Sequence, residues 1–192
     1  MLEPPPSRPL NVIKIGGALA SIPGALDRVC REVAAAAVRH MILVVPGGGP
    51  FADAVRQCDH TLSLSPSTAH WMAVLGMDQY GHVLANRIPG AVLVEEPGAV
   101  FQSLDHGSVV VLAPSRWLRA SNVLPHSWDV TSDSIAAFVA GALDAARLIL
   151  IKPGTSLREP VDPYFATALP YGMPCSVVAC DQLEELSRAL NG

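Results

Sequence analysis

The chain has 192 residues, half of them hydrophobic, 16% charged and 5% aromatic, with a formal charge of −4 and a pI near 5.8. That length suits one domain with a sizeable core, and the apolar content excludes a disordered chain. The acidic balance excludes a nucleic-acid-gripping surface, which needs a basic stripe.

The opening MLEPPPSRPL has no basic run leading into an apolar stretch. Residues 1–9 therefore read as a flexible Pro-rich leader, not a signal peptide, and residues 10–192 as one domain. Leu10–Ile15 reads as a buried strand. Leu26, Val29, Cys30, Val33 and Ala37 then fall at i, i+3, i+4, i+7 and i+11, one face of a helix. The pattern continues with a strand at Met41–Val45, a helix at Phe51–Cys58, and a longer helix from Ser65-Pro66, a cap and first-turn pair, to Arg87. Ala91–Val94 and Val109–Leu112 are strand-length apolar runs. A helix spans Ser132–Asp144, strands Leu148–Ile151 and Ser176–Ala179, and a last amphipathic helix Asp181–Leu190. Ser115–Trp128 and Pro153–Pro174 lack periodicity, and loops of that length are either functional covers or passive excursions.

Strands alternating with helices predict a three-layer αβα fold with a mainly parallel central sheet. The most apolar stretches, Val33–Val45 and Ile135–Ile151, are broken by Arg39 and His40 and by Asp144 and Arg147. Neither reaches the roughly 18 uninterrupted apolar residues of a membrane span. Cys30, Cys58, Cys175 and Cys180 form no C-x-x-C pair and read as reduced thiols in a cytoplasmic protein. The histidines at 40, 60, 70, 82, 106 and 126 lack metal-ligand spacing and read as structural or exposed.

Four features carry chemistry. In Val12-Ile13-Lys14-Ile15-Gly16-Gly17-Ala18, a lysine within an apolar strand needs a negative partner, unless it reaches solvent from an edge strand. Its place before Gly-Gly puts it at the C-terminal edge of the sheet, where α/β ligands bind. In Val44-Val45-Pro46-Gly47-Gly48-Gly49-Pro50, three glycines between strand and helix let the backbone approach phosphate oxygens. The same loop fits G-x-G-x-x-A, but the ribose-binding acid of a dinucleotide site is missing, and no P-loop motif occurs. In Trp128-Asp129-Val130-Thr131-Ser132-Asp133-Ser134, the hydroxyls and Asp133 read as a helix cap. In Ile149-Leu150-Ile151-Lys152-Pro153-Gly154, a second lysine ends a second apolar strand. Two such lysines with a glycine loop and an aspartate suggest a clamp for a polyanion.

In this order the four motifs resemble the amino acid kinase family, which includes acetylglutamate, aspartate, carbamate and uridylate kinases. The resemblance spans Val12–Gly192. It implies an ATP-dependent phosphotransferase with a small-molecule substrate, Mg2+ accompanying ATP, no nucleic-acid or membrane partner, and a homo-oligomeric state. It assigns Lys14 to the transferring phosphoryl group, Asp133 to organising the lysines, and Lys152 to the donor phosphates. Gly16, Gly17, Gly47, Gly48 and Gly49 become backbone phosphate contacts. Phosphoryl transfer requires this kind of positioning and charge neutralisation.

The sequence departs from the family at three places. Ala18 stands where a Ser is usual, Lys152-Pro153-Gly154-Thr155 replaces the Asp-Val-Asp-Gly nucleotide turn, and the expected C-terminus is shortened. Within the family, Ser127–Ala137 is most similar to the kinases of methanofuran biosynthesis. That similarity implies transfer from ATP to an aminomethylfuran-methanol phosphate, giving its diphosphate. Asp129 or Asp133 would meet the acceptor's ammonium, with Thr131 and Ser132 nearby on the substrate. A nucleoside monophosphate or amino acid kinase is the same-class alternative. A non-catalytic nucleotide- or oxyanion-binding subunit is the alternative from another class.

Overall fold

The computed structural model describes residues 8–104, 108–153 and 161–192. Residues 1–7 of the expected leader, and Gly154 and Thr155 of the altered turn, lie outside the described residues. Six strands, β1 (Leu10–Ile15), β2 (Met41–Pro46), β3 (Ala91–Val94), β4 (Val109–Leu112), β5 (Arg147–Lys152) and β6 (Cys175–Ala179), form one sheet ordered β3-β4-β2-β1-β5-β6. Every pairing is parallel. The expected sheet is therefore present, and β1 lies inside it, which excludes an edge-strand position for Lys14.

Helices cover both faces: α1 (Ala25–Ala37), α2 (Gly49–Leu62), α3 (Pro66–Arg87), α4 (Pro97–Leu104), α5 (Ser115–Ser121), α6 (Ser132–Ala142), α7 (Phe165–Ala168) and α8 (Glu184–Asn191). A 3-10 turn occupies Gly17–Ser21. Because side chains alternate across a strand, the sheet divides its apolar residues between two clusters. Ile13, Ile15, Val44, Ile149 and Ile151 pack with α1, the second half of α3, and α8. Val12, Leu43, Val45, Leu148 and Leu150 pack with α6, α4 and the first half of α3. Lys14 and Lys152 have the parity of Val12 and Leu150. Strand alternation alone thus sends both lysines to the face covered by α6.

Among the described residues no helix is long and apolar enough to cross a membrane. The strand expectations hold to within a residue at each end, and α2 is longer than Phe51–Cys58 by two residues before and four after. Ser115–Trp128, which lacks periodicity, contains α5. Its first turn is held from outside: Asp78 of α3 accepts from the Ser115 N–H at 3.0 Å and from the Ser115 hydroxyl. A seven-residue helix depending on a remote cap leaves little local signal.

The described part of Pro153–Pro174 is no passive excursion. Val161, Tyr164, Ala168, Leu169 and Met173 pack on the α6 side of the core. Asp162 accepts from the Thr131 N–H at 2.9 Å, the Thr131 hydroxyl at 2.7 Å and the Ser134 N–H at 3.0 Å, and also from the Ser134 hydroxyl. It caps α6 from across the chain, a role that Thr131 and Asp133 had been expected to fill locally. Asp162→Ala should therefore lower the unfolding free energy by about 1–2 kcal/mol, the range for losing a strong cap. Urea denaturation checks this; an unmoved midpoint would show that another group caps α6.

Candidate active site

With α6 capped by Asp162, the Asp133 carboxylate is available to the sheet. The Lys14 ammonium lies 2.8 Å from Asp133 Oδ1, and the Lys152 ammonium donates to Oδ2 at 2.8 Å. All three are nearly dry: Lys14 is 6% exposed, Lys152 7% and Asp133 4%. Burial alone would push the Asp133 carboxyl up, but the two ammoniums pull it down by more, so it stays below its ordinary 3.8. The three charges sum to +1. Two ammoniums facing one carboxylate make a setting that favours a further oxyanion, such as a phosphoryl oxygen.

The glycines stand beside this triad, and the structure separates their duties. The Gly16 N–H donates to Ile151 O at 2.9 Å and the Gly47 N–H to Ile15 O at 2.8 Å, so both are consumed in extending the sheet. Any backbone contact of Gly16 or Gly47 with phosphate would therefore have to be made beside these sheet bonds. Gly17, Gly48 and Gly49 line the cleft. The two loops pack backbone to backbone: a Cβ on Gly17 would stand 2.2 Å from Gly49 N, and one on Gly47 2.4 Å from Gly17 N. Gly49 has φ +57° and lies against the Tyr80 ring, while the Tyr80 hydroxyl donates to Gly16 O at 3.4 Å. The first-turn N–H groups of α2 have no acceptor within the helix and carry the positive end of its dipole.

The cleft, of about 220 Å³, runs from these loops between α2 and α3. Gly49, Ala52, Asp53 and Arg56 line one wall; His70, Ala73, Val74 and Met77 line the other. Both sets fall at i, i+3, i+4 and i+7, the inner faces of an antiparallel helix pair. Gly76 allows this close approach, since a Cβ there would sit 3.1 Å from Ala52 N. Ser127, Trp128, Val130, Thr131, Ser132 and Ile135 close the third side. The Trp128 indole N–H donates to Asp59 at 2.7 Å, and the Arg56 guanidinium lies 4.7 Å over the Trp128 ring. Trp128 thus ties the segment before α6 to α2.

Of the residues singled out from sequence, Lys14, Asp133 and Lys152 come together. Thr131 and Ser132 reach the cleft, whereas Asp129 is exposed and outside its lining. Asp133 has both oxygens committed to lysines, so the carboxylate on the cleft wall is Asp53. Asp53, Arg56, His70 and Asp162 escaped the sequence reading. The helical spacing of the first three was visible, but the antiparallel pairing that makes it a cleft was not.

Residues 9–153 match the sequence model of the amino acid kinase family, and the chain belongs to that family. Among particular relatives, it is 30% identical over 141 residues to the [5-(aminomethyl)furan-3-yl]methyl phosphate kinase of Methanocaldococcus jannaschii. The aligned part is 73% of this chain and 64% of that enzyme. Its fold superposes on the uridylate kinase of Archaeoglobus fulgidus with a TM-score of 0.72, covering 96% of each chain at 14% identity. The UMP kinase of Bacillus anthracis gives 0.69 at 16% identity, over 96% of this chain and 93% of that one. The aspartate kinase of Synechocystis gives 0.69 at 15% identity, over 89% and 38%.

Two predictions follow the geometry. Gly48→Ala would set its Cβ 2.2 Å from the Ala52 Cβ and should destabilise the α2 start. Adding Ala52→Gly removes that clash, so Gly48→Ala/Ala52→Gly should regain its melting temperature. If the Gly48 backbone also meets ligand, calorimetry will find weakened ATP or acceptor binding in the double variant; recovered binding would leave Gly48 a packing residue.

The second concerns Asp133. Its folded-state pKa is depressed, so its stabilising contribution is full above the ordinary carboxylate range and lost as pH falls through the lower folded value. Asp133→Asn should cost about 3–5 kcal/mol at neutral pH by removing the carboxylate that holds two buried ammoniums. It should also flatten the fall in stability below about pH 4. Denaturation measured from pH 2 to 7 tests both; parallel curves for the two proteins would deny Asp133 the depressed pKa.

Proposed function

We propose that this chain is an ATP-dependent phosphotransferase acting on a small phosphorylated metabolite. The observation that carries the reading is the single carboxylate holding two buried lysines at the ends of neighbouring strands, beside glycine loops. In this reading Lys14 neutralises the transferring phosphoryl group and Lys152 the donor phosphates. Asp133 keeps the two ammoniums apart and aimed. The backbone of Gly17, Gly48 and Gly49 meets phosphate oxygens, and the cleft takes the acceptor. An acceptor phosphate oxygen attacks the γ-phosphorus of ATP in line, the bond to the β-phosphate oxygen breaks, and ADP leaves with that electron pair. Magnesium would be held by the ATP phosphates, its usual environment, and would help neutralise their charge.

For the acceptor, the favoured candidate is [5-(aminomethyl)furan-3-yl]methyl phosphate, converted to its diphosphate. The named substrate of the archaeal relative supports this, as does a cleft offering both a carboxylate and hydroxyls. A nucleoside monophosphate is the next candidate, supported by the likeness of fold to uridylate kinases. A binding subunit without transfer rests on Ala18, which lines the cleft without a hydroxyl. A cytoplasmic homo-oligomer completes the proposal, with exposed Leu62 and Leu75 on α2 and α3 as apolar contact surface.

ATP turnover against aminomethylfuran phosphate, UMP, AMP and acidic amino acids tests the reading. Activity with the furan phosphate is expected; silence with every acceptor contradicts transfer. Lys14→Met should lower turnover about 10²–10³-fold, the usual loss of one preorganised charge partner. It should do so without unfolding, because Asp133 and Lys152 remain as a neutral pair. A folded Lys14→Met variant with ordinary turnover would remove Lys14 from the chemistry.

A further inference from the structure

The start of α6 has no cap of its own. Thr131, the residue before the helix, makes no side-chain bond to the first turn, and its hydroxyl donates to Asp162 at 2.7 Å. Asp162 Oδ2 also accepts from the Thr131 and Ser134 N–H groups, at 2.9 and 3.0 Å, and Oδ1 accepts from the Ser134 hydroxyl. Asp133 lies between these two residues in the chain. One carboxylate, 31 residues beyond Thr131, therefore grips the backbone on both sides of it. The segment carrying Asp162 is anchored along α6 without help from the lysines. The Tyr164 N–H donates to Asp129 O at 3.2 Å, and Phe165 is buried in the same core cluster as Ile135 and Val139. Pro170 packs on Gly141, where a Cβ would stand 2.7 Å from Pro170 Cγ.

The grip has a chemical consequence. Asp133 is the second residue of α6, in the turn whose N–H groups have no acceptor within the helix. Its partners Lys14 and Lys152 come from neighbouring strands whose places the sheet fixes, so the placing of the carboxylate is the adjustable part. The two ion pairs hold its side chain, but they supply no acceptor to the Thr131 and Ser134 N–H groups. A shift of the first turn would misaim both ammoniums while leaving the α2 and α3 walls of the cleft in place. A misplacement of roughly 1 Å arising away from the chemistry costs about 100-fold in rate. Asp162 itself lies outside the cleft lining.

We propose that Asp162 is a positioning residue for phosphoryl transfer: by holding the backbone on either side of Asp133, it sets where that carboxylate presents Lys14 and Lys152. This rests on the phosphotransferase reading above and adds to it a residue that touches neither substrate nor reacting atoms. The role needs hydrogen-bond acceptance more than charge, so asparagine can fill it. An amide oxygen in the place of Oδ2 takes the three bonds there, and the Ser134 hydroxyl turns to accept from the amide nitrogen.

The test compares Asp162→Ala and Asp162→Asn with wild type at a temperature where circular dichroism shows each folded. The probes are ATP with [5-(aminomethyl)furan-3-yl]methyl phosphate, and ATP with UMP. Asp162→Ala should lower kcat about 10- to 100-fold, with KM for both substrates within about threefold of wild type. Asp162→Asn should return kcat to within about threefold. A second readout needs no turnover. In 13C-aspartate-labelled protein, with the Asp133 carboxyl assigned by its loss in Asp133→Asn, Asp162→Ala should raise the pKa of that carboxyl, because the lysine contacts are what lower it. Asp162→Asn should leave it low. A folded Asp162→Ala with wild-type kcat, with its loss carried by KM, or with an unmoved Asp133 titration overturns the assignment. So does an Asp162→Asn as slow as Asp162→Ala, which would make charge the working property. A wild type silent with both acceptors would overturn the phosphotransferase reading and the role of Asp162 in transfer with it. A raised Asp133 pKa in Asp162→Ala would then mark the failure as one of that reading and not of the geometry.

Discussion

Asp133 is one carboxylate shared by two ammoniums in a place almost without water, and the rest of the site follows from that sharing. Neither Lys14 nor Lys152 is tolerable on this face of the sheet alone, where Val12 and Leu150 pack directly into the core. Their strands pair in parallel, with Lys14 opposite Leu150, so the second lysine stands one pleat further along the same face. Only a negative group entering from the α6 side reaches both. Asp133 does so because it opens α6, and α6 starts there because Asp162 holds its first turn. Strand parity, helix start and remote cap all converge on two distances of 2.8 Å.

The electrostatic result is a site where two cations are held in place by one carboxylate. A carboxylate between two lysines holds both ammoniums in a dielectric where their charge is felt strongly. An apolar replacement would pack as well, so stability alone does not account for the arrangement. In the proposed reading, a phosphate group entering beside it would meet two ammoniums already in place. The glycine loops enforce the geometry sterically: Gly17 and Gly49 touch through their backbones, leaving no room for side chains between strand ends and cleft. The cleft itself comes from the α2–α3 pair, whose inner faces continue from the glycine loops toward His70.

Much of the fold was legible because buried parallel strands are short, continuous and apolar, and all six stand out as such. The lysines stood out for the converse reason, as charges where the pattern demands apolar residues. Less legible was everything requiring one segment to act on another. Asp133 looked like a cap because caps are local, whereas Asp162, 28 residues beyond Ser134, supplies that function. Glycine signals close approach, and at Gly16 and Gly47 the approach that the N–H groups make is to neighbouring strands, which the sequence does not show. His70 looked like any buried histidine until the antiparallel pairing of α2 with α3 gave it a cleft to face.

The most direct measurement of the central claim is a crystal structure with a non-hydrolysable ATP analogue and Mg2+ bound. The account predicts phosphate oxygens within hydrogen-bond distance of the Lys14 and Lys152 ammoniums, with Asp133 still between them and the Gly48 and Gly49 backbone facing the γ-phosphate. A nucleotide bound elsewhere, with both lysines still held by Asp133, would make the three charges an architectural pairing and contradict the account.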